Sequence, residues 1–307
     1  MRDMENFKLR ILGSGSALPT KMSNQASQIV ETHDKLFMID CGEGTQCQMR
    51  RLNVRVSRLN HLFVSHLHGD HCFGIVGLIS TLDLLGRTSD FHVYAHKDLE
   101  RLVRPHLDFF CQGMAFDVVF HHIDPKVHEI IYEDNSIEVS TIPLKHKVPT
   151  CGFLFKEKPK QRHIRREMTD FYKVPIREMQ HIKNGADFVT EEGEVVPNDR
   201  LTKPADPSVS FAYCSDTAYS ERILPYIEGV DCLFHEATFL NAQKGRAKET
   251  LHSTALQAAE IAAKANVKRL VIGHFSARYE DHKAFLTEAR SVFENTELAE
   301  DGRVFRF

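Results

Sequence analysis

His61-Leu-Phe-Val-Ser-His66-Leu-His68-Gly-Asp70-His71-Cys-Phe-Gly74 is the stretch on which the rest of this chain depends. Its apolar run Leu62-Phe63-Val64 has the make-up of a buried β-strand. Three histidines and one aspartate then follow in the pattern H-x-H-x-D-H. Neutral imidazole and carboxylate are the donors that a Zn2+-type ion takes, and donors placed just after a strand stand on a rigid support. In extended backbone His66 and His68 project to the same side, and Gly69 lets the chain turn before Asp70 and His71. These four residues can therefore serve two neighbouring metal ions. The chain has 18 histidines, so a polar loop with chance imidazoles is the plain alternative; four donors in this order at a strand end argue against it.

The surrounding composition is that of a soluble protein: 307 residues, 42% hydrophobic and 26% charged, enough for one large layered domain or two small ones. No apolar run approaches the roughly 18 residues that a transmembrane helix needs, and the first eight residues lack a signal-peptide apolar core. Seven scattered cysteines without a C-x-x-C pair favour reduced thiols and a cytoplasmic protein. A net charge of −3 argues against a generally basic nucleic-acid binder. The charge is unevenly spread, however. Lys156–Gly185 carries nine basic side chains against four acidic ones, a net of +5, which leaves −8 for the remainder. Most charge runs are solvated surface excursions, yet a basic arm on an acidic body also suits a grip on a phosphate backbone. The reading is one domain over residues 1–307 with an arm inserted at about 156–197, whose end returns through a hairpin turning at Glu192-Gly193.

Along the chain, strands alternate with helices, the α/β pattern. Strands are expected at Lys8–Leu12, Gln25–Glu31, Lys35–Asp40, Phe91–Ala95, Phe116–His122 and Ile137–Pro143. Asp40–Thr45 ends a strand and caps a helix over Gln46–Arg51; further helices are expected over Gly74–Leu85 and, interrupted near Pro105, over Lys97–Phe110. Gly13-Ser-Gly-Ser-Ala-Leu-Pro19-Thr-Lys21 lacks the third glycine of a dinucleotide fingerprint and opens no helix, so no nucleotide cofactor is expected. It is either a tight turn or a loop offering amides and Lys21 to phosphate. Later apolar strands end in Cys214-Ser-Asp216-Thr, His235-Glu236-Ala-Thr238 and Gly273-His274. Thr250–Lys264 is a strong helix with Ser253 suited to its N-cap and His252 just before it, and Phe285–Phe293 closes the chain. Strand ends thus offer His66, His68, Asp70, His71, His146, Asp216 and His274, seven donors that one sheet rim could gather around two metal ions.

Taken together these motifs resemble the metallo-β-lactamase fold and, within it, the ribonuclease Z family of tRNA 3′-processing endonucleases. The resemblance rests on Pro19-x-Lys21, His146-x-Val-Pro, Ser-Asp216-Thr, His235-Glu236-Ala-Thr238, His252-Ser-Thr and Gly-His274-x-Ser276-Ala-Arg278-Tyr, and it covers nearly the whole chain. It implies an αββα sandwich, a homodimer, and an inserted arm that grips tRNA. It further implies one zinc on His66, His68 and His146 and another on Asp70, His71 and His274, with Asp216 and a hydroxide bridging; other divalent ions suit the same donors. Lys21, Asn24, Ser276 and Arg278, with Lys158, Lys160, Arg162, Arg165 and Arg166 of the arm, are the expected substrate contacts. Two departures from the family pattern stand out: Ser23 replaces an arginine before Asn24, and the arm has only Val174-Pro175 where relatives carry a Gly-Pro-rich tip.

The implied chemistry is attack on a precursor-tRNA phosphodiester by a water whose pKa two zinc ions lower from ~15.7 toward ~7. Asp70 would orient that water or take its proton. His252, its tautomer held by Glu236, would protonate the departing ribose 3′-oxygen. Competing readings are a hydrolase of small phosphodiesters, sulfate esters or thioesters on the same fold, a redox di-iron protein, and a non-catalytic RNA-binding relative. The basic insert, His68 where a di-iron site takes glutamate, and the complete donor set argue against each in turn.

Overall fold

The computed structural model describes residues 7–21 and 23–307; most of the stretch searched for a signal core lies outside them. Six strands, β1 (Lys8–Gly13), β2 (Ser27–Thr32), β3 (Lys35–Ile39), β4 (Leu59–Phe63), β5 (Phe91–Ala95) and β6 (Val118–His122), build most of one sheet. A second sheet begins with β7 (Ile130–Glu133), β8 (Ile137–Pro143) and β9 (Cys151–Glu157). Four two-residue strands follow in an excursion, β10 (His163–Ile164), β11 (Phe188–Val189), β12 (Val195–Val196) and β13 (Thr202–Lys203). The chain re-enters the second sheet as β14 (Ser210–Cys214), β15 (Cys232–Glu236), β16 (Leu270–Gly273) and β17 (Thr296–Leu298), and β18 (Val304–Arg306) returns to the first. The two seven-stranded orders are β18-β1-β2-β3-β4-β5-β6 and β17-β16-β15-β14-β9-β8-β7. β3 to β6 run parallel, and so do β14 to β17, so each sheet is mixed.

Alternation along the strands makes the layers. Phe37 and Phe63 point inward to meet Phe153, Phe155 and Phe211 of the second sheet, while their neighbours Met38 and Leu62 point outward. Each phenyl ring removed from water is worth about 2–3 kcal/mol, which makes this aromatic seam the main adhesive between the sheets. On the outer face of the first sheet lie α1 (Thr45–Arg51), α2 (Gly69–Cys72), α3 (Ile75–Leu84) and α4 (Asp98–Phe110). The excursion carries α5 (Arg166–Phe171), α6 (Met179–Lys183) and α7 (Asn198–Leu201) around a small core of Val174, Ile182, Phe188, Val196 and Leu201. The second sheet is covered by α8 (Leu224–Ile227), α10 (Ala255–Lys264) and α11 (Lys283–Arg290), and α9 (Lys244–Thr250) lies in the connection from β15 to α10. This is the αββα sandwich.

Several local expectations need correction. Helix α4 runs through Pro105 without a break. The proline stands on the solvent side with Arg101 one turn before it, where the carbonyl that loses its donor can face water. Helix α1 starts from Gly44 at φ 78° with no side-chain cap, and Asp40 points elsewhere. Thr254, not Ser253, caps α10, in a reciprocal capping box with Gln257. The sequence reading omits β7, β9, β10, β13, β17 and β18; in β9 the alternation of Cys151, Phe153 and Phe155 was the available signal.

Candidate metal centre

The seven donors converge where both sheets end. His66, His68, Asp70 and His71 follow β4, His146 follows β8, Asp216 follows β14 and His274 follows β16. Asp216 and His274 leave their strands in left-handed backbone, φ 50° and 61°, as Asp40 does after β3 at φ 57°. Such conformations cost about 1 kcal/mol or more each in non-glycine residues and cluster at functional sites. A Cβ at Gly69 would stand 2.3 Å from the ring of Phe73, an exposed side chain that can swing aside, so neither φ nor packing demands glycine there.

Two donor sets share one carboxylate. Asp216 Oδ2 lies 3.5 Å from His66 Nε2 and 3.7 Å from His146 Nε2; His68 Nδ1 lies 3.0 Å and 3.4 Å from those same nitrogens. Asp216 Oδ1 faces the other way, 3.2 Å from both His71 Nε2 and His274 Nε2, which are 3.4 Å and 3.5 Å from Asp70 Oδ2. Ligands at about 2.0–2.1 Å in a tetrahedron around zinc stand roughly 3.3 Å apart, the spacing seen here. The donors therefore fit two divalent ions.

A ring of hydrogen bonds behind the donors fixes the tautomers. Ser65 Oγ–H donates to Asp40 Oδ2 at 2.9 Å, so His66 Nδ1–H must donate to Ser65 Oγ at 3.0 Å. His71 Nδ1–H donates to Asp40 Oδ2 at 2.7 Å, and His146 Nδ1–H to the Leu251 carbonyl at 3.0 Å. Thr238 Oγ1–H donates to Glu236 Oε2 at 2.6 Å, which leaves Thr238 Oγ1 to accept from His274 Nδ1–H at 3.0 Å. In each of the four rings Nδ1 is engaged behind the cluster and Nε2 is turned toward it, and outer partners of this kind raise ligand basicity. Asp40 is the hub: it also accepts from the Ser65 amide and the Tyr213 hydroxyl, both at 2.7 Å.

Electrostatics match this arrangement. Burial pushes His66, His68 and His146 below their ordinary pKa, so they are neutral and free to ligate. Burial also works to raise the Asp70 and Asp216 carboxyls, but adjacent imidazoles hold both well below the usual carboxylate range. His71 is pushed down by burial and lifted well above its ordinary value by Asp216, Asp40 and Asp70. Among the described residues the buried carboxylates Asp40, Asp70, Asp216 and Glu236 pair with histidines and with no lysine or arginine, leaving an acidic centre suited to cations.

His252 stands beside this cluster, its ring 5.0 Å from that of His146 and 5.5 Å from that of His274, and its Nδ1–H donates to Glu236 Oε1 at 2.8 Å. Burial lowers its pKa, but the Glu236 carboxylate overrides this and lifts it to about 9. Ser276 and Arg278 line the same cleft. Lys21 is exposed and not among its lining residues, and Asn24 is tied to Asp301 through both its amide and its side chain. In the excursion, Lys158 pairs with Glu133, Lys160 with Glu157 and Arg162 with Asp199, and Arg165 Nε donates to the Thr202 carbonyl; Arg166 is exposed. Asp40, Ser65, Tyr213 and Thr238 were missed. For Asp40 a signal existed, an acid closing an apolar strand as Asp216 does; for Tyr213 there was none, since it reads as one more core aromatic.

Comparison with known proteins bears on the whole chain. Two family models match, "Anti-Pycsar protein Apyc1" over residues 7–164 and "Beta-lactamase superfamily domain" over residues 200–275. Proteins named "Ribonuclease Z" are 60% identical in Parabacteroides distasonis, over 97% of this chain and 98% of the relative, and 58% identical in Bacteroides thetaiotaomicron, over 97% and 94%. Among solved structures, human tRNase Z, short form, superposes with a TM-score of 0.70 at 23% identity, over 97% of this chain and 98% of that one. The metallo-β-lactamase fold protein YhfI of Bacillus subtilis does so with 0.69 at 17% identity, over 99% and 100%.

Proposed function

This chain belongs to the ribonuclease Z family, tRNA 3′-processing endoribonucleases on the metallo-β-lactamase fold, and we propose that it removes the 3′ trailer of precursor tRNA at a two-zinc centre. His66, His68 and His146 would hold one ion and Asp70, His71 and His274 the other. The observation that carries the reading is Asp216, whose two oxygens each face one complete donor set. Divalent ions bound there would supply Lewis acidity toward phosphoryl oxygens and a water acidic enough to react near neutral pH.

The chain's own residues supply the rest. Asp70, ionised at the cleft floor, orients the attacking water and accepts its proton. His252, held as imidazolium by Glu236, donates to the departing ribose 3′-oxygen. The arm offers tRNA its outer end rather than its stem, because Lys158, Lys160 and Arg162 are engaged in internal pairs whereas Arg166 and Lys173 are exposed beside Phe171 and Ile176, with Arg177, exposed too, meeting its neighbour Glu178 at 3.5 Å. The same reading makes the protein a homodimer in the cytoplasm, the latter in keeping with seven cysteines that form no disulfide.

The deciding experiment incubates the protein with a 3′-extended precursor tRNA, with and without chelator, and maps the new 3′ end. Cleavage at one position near the acceptor end, abolished by chelator and restored by zinc, is expected. Turnover of small phosphodiesters without tRNA cleavage would move the assignment to a small-molecule hydrolase.

A further inference from the structure

The cleft above the donor cluster has a volume of about 750 Å³ and two unlike walls. One wall joins the loop after β8, which bears His146 and Lys147, to the turn after α9, which bears His252. The His146–Leu251 hydrogen bond at 3.0 Å stitches them together. Leu251 makes this possible by closing α9 in left-handed backbone, φ 58°, so that its carbonyl faces His146 while the His252 amide donates back to the Ala247 carbonyl at 2.8 Å. Arg246 and Thr250, four apart on α9, share the helix face that lines the cleft, and Ala247 is buried behind them. The second wall joins Ser16–Leu18 to Ser276–Arg278 through the Ser16 amide on the Phe275 carbonyl at 3.2 Å, and the Ser276 amide donates to the Thr238 carbonyl at 3.2 Å. The first wall therefore carries two exposed cations, Lys147 and Arg246, neither ion-paired among the described residues; the second carries one lining cation, Arg278.

We propose that Lys147 and Arg246 hold the phosphates of the strand whose ribose 3′-oxygen departs, so that the precursor crosses the cleft in one polarity, tRNA body along the first wall and trailer toward the second. The inference rests on the reading of His252 as the acid. In the reaction one water is consumed. Its oxygen bonds to phosphorus as the bond from phosphorus to the 3′-oxygen breaks, its proton passes to the Asp70 carboxylate, and the His252 proton goes to the 3′-oxygen. The products are a 3′-hydroxyl on the body and a 5′-phosphate on the trailer. The nucleotide that owns the departing oxygen must reach His252, which sits between the walls, its ring 5.0 Å from that of His146 and 5.5 Å from that of His274, but which follows Leu251 directly and so is carried by the turn of the first wall. Phosphates upstream of the break then fall beside Arg246, which stands about 6 Å back along the helix from Thr250. Cations there serve a polyanion and leave sequence unread, as a processing enzyme for many tRNAs requires.

The two products separate the walls. Inhibition of precursor cleavage is measured with mature tRNA ending in a 3′-hydroxyl and, separately, with a 5′-phosphorylated trailer oligonucleotide, for the wild type, the Lys147→Ala/Arg246→Ala double variant and Arg278→Ala. The double variant is expected to raise the inhibition constant of mature tRNA about tenfold and to flatten its salt dependence by one to two contacts' worth of log–log slope, roughly 0.7–0.9 each. The trailer's constant should move less than about twofold. Arg278→Ala should show the reverse preference. Equal shifts for both products, or a trailer-selective effect of the double variant, overturn the polarity while leaving the proposed activity standing. A wild-type protein that cleaves no precursor overturns the activity itself, and the polarity with it.

Discussion

Asp40 shows how much of a reactive centre can be carried by a residue that never faces substrate. Its two oxygens take hydrogen bonds from the Ser65 amide and hydroxyl, His71 Nδ1 and Tyr213, so a single carboxylate orients two metal-facing imidazoles. Asp40→Asn keeps the shape but replaces one acceptor oxygen by a donor. Affinity for the metal is expected to fall 10–100-fold, with activity recovered at high zinc, as metal content after dialysis against graded chelator would show. His252 gives a pH prediction of definite sign. In the proposed reaction its imidazolium is the active form, and this form persists up to a pKa of about 9, which nearby bound cations would lower. Cleavage should therefore decline on the alkaline side at or below about pH 9. His252→Gln should remove that limb and reduce kcat/KM on precursor tRNA by 10²–10⁴. A diester with a p-nitrophenolate leaving group needs no such proton, so a much smaller loss is expected on it; equal losses would assign His252 a structural role.

The arm is the element whose sequence and structure differ most in emphasis. Lys156 and Glu157, which begin the basic run, are ladder residues of β9 opposite Ser210 and Ile137. The excursion proper spans 158–209, and its return leg after Gly185 brings six acidic side chains against two basic ones. Folding sets these against the outgoing leg, as in Arg162–Asp199, which explains why charge density along the chain overstated the arm's positive surface. Its stem is fastened by one buried carboxylate. Glu157 meets His33 Nε2 at 2.8 Å, Lys160 Nζ at 2.9 Å and the Val209 amide at 2.8 Å, tying both legs of the arm to the β2–β3 turn of the other sheet. A deletion of 160–207 closed by a short turn leaves β9 and β14 paired and should raise KM for precursor tRNA at least tenfold, with far less effect on a small phosphodiester. Glu157→Gln should produce a milder rise in KM with kcat retained and faster amide exchange confined to the arm. Parallel losses on both substrates would make the arm part of the fold rather than of recognition.

At the scale of the molecule, the proposed metal centre is also a joint. Four of its candidate donors come from the end of β4 in the first sheet and three from the second, so a bound ion would bridge the two halves of the sandwich. Without cations, the four buried carboxylates at that joint have imidazoles as their only ion-pairing partners among the described residues. Metal should therefore stabilise the fold as well as the reaction, by about 4 kcal/mol when free ion exceeds its dissociation constant a thousandfold. Thermal melting with and without chelator would read this directly. A clear rise in melting temperature with zinc is expected, and coincident curves would mean that the centre forms without load.

The sequence by itself determined the alternation of strands and helices, and it singled out the residues that the structure brings together as candidate donors. Those features are local: a strand followed by H-x-H-x-D-H carries its chemistry within six residues, and period-two burial is visible in composition. Tertiary structure alone decided which oxygen of Asp216 faces which donor set, that Asp40 and Thr238 hold the rings, that Lys158 and Arg162 are paired inward, and that Lys147 and Arg246 share a wall with His252. Such facts depend on contacts between residues tens to hundreds of positions apart. They are fixed by how two sheets meet at an aromatic seam, and no spacing along the chain encodes that meeting.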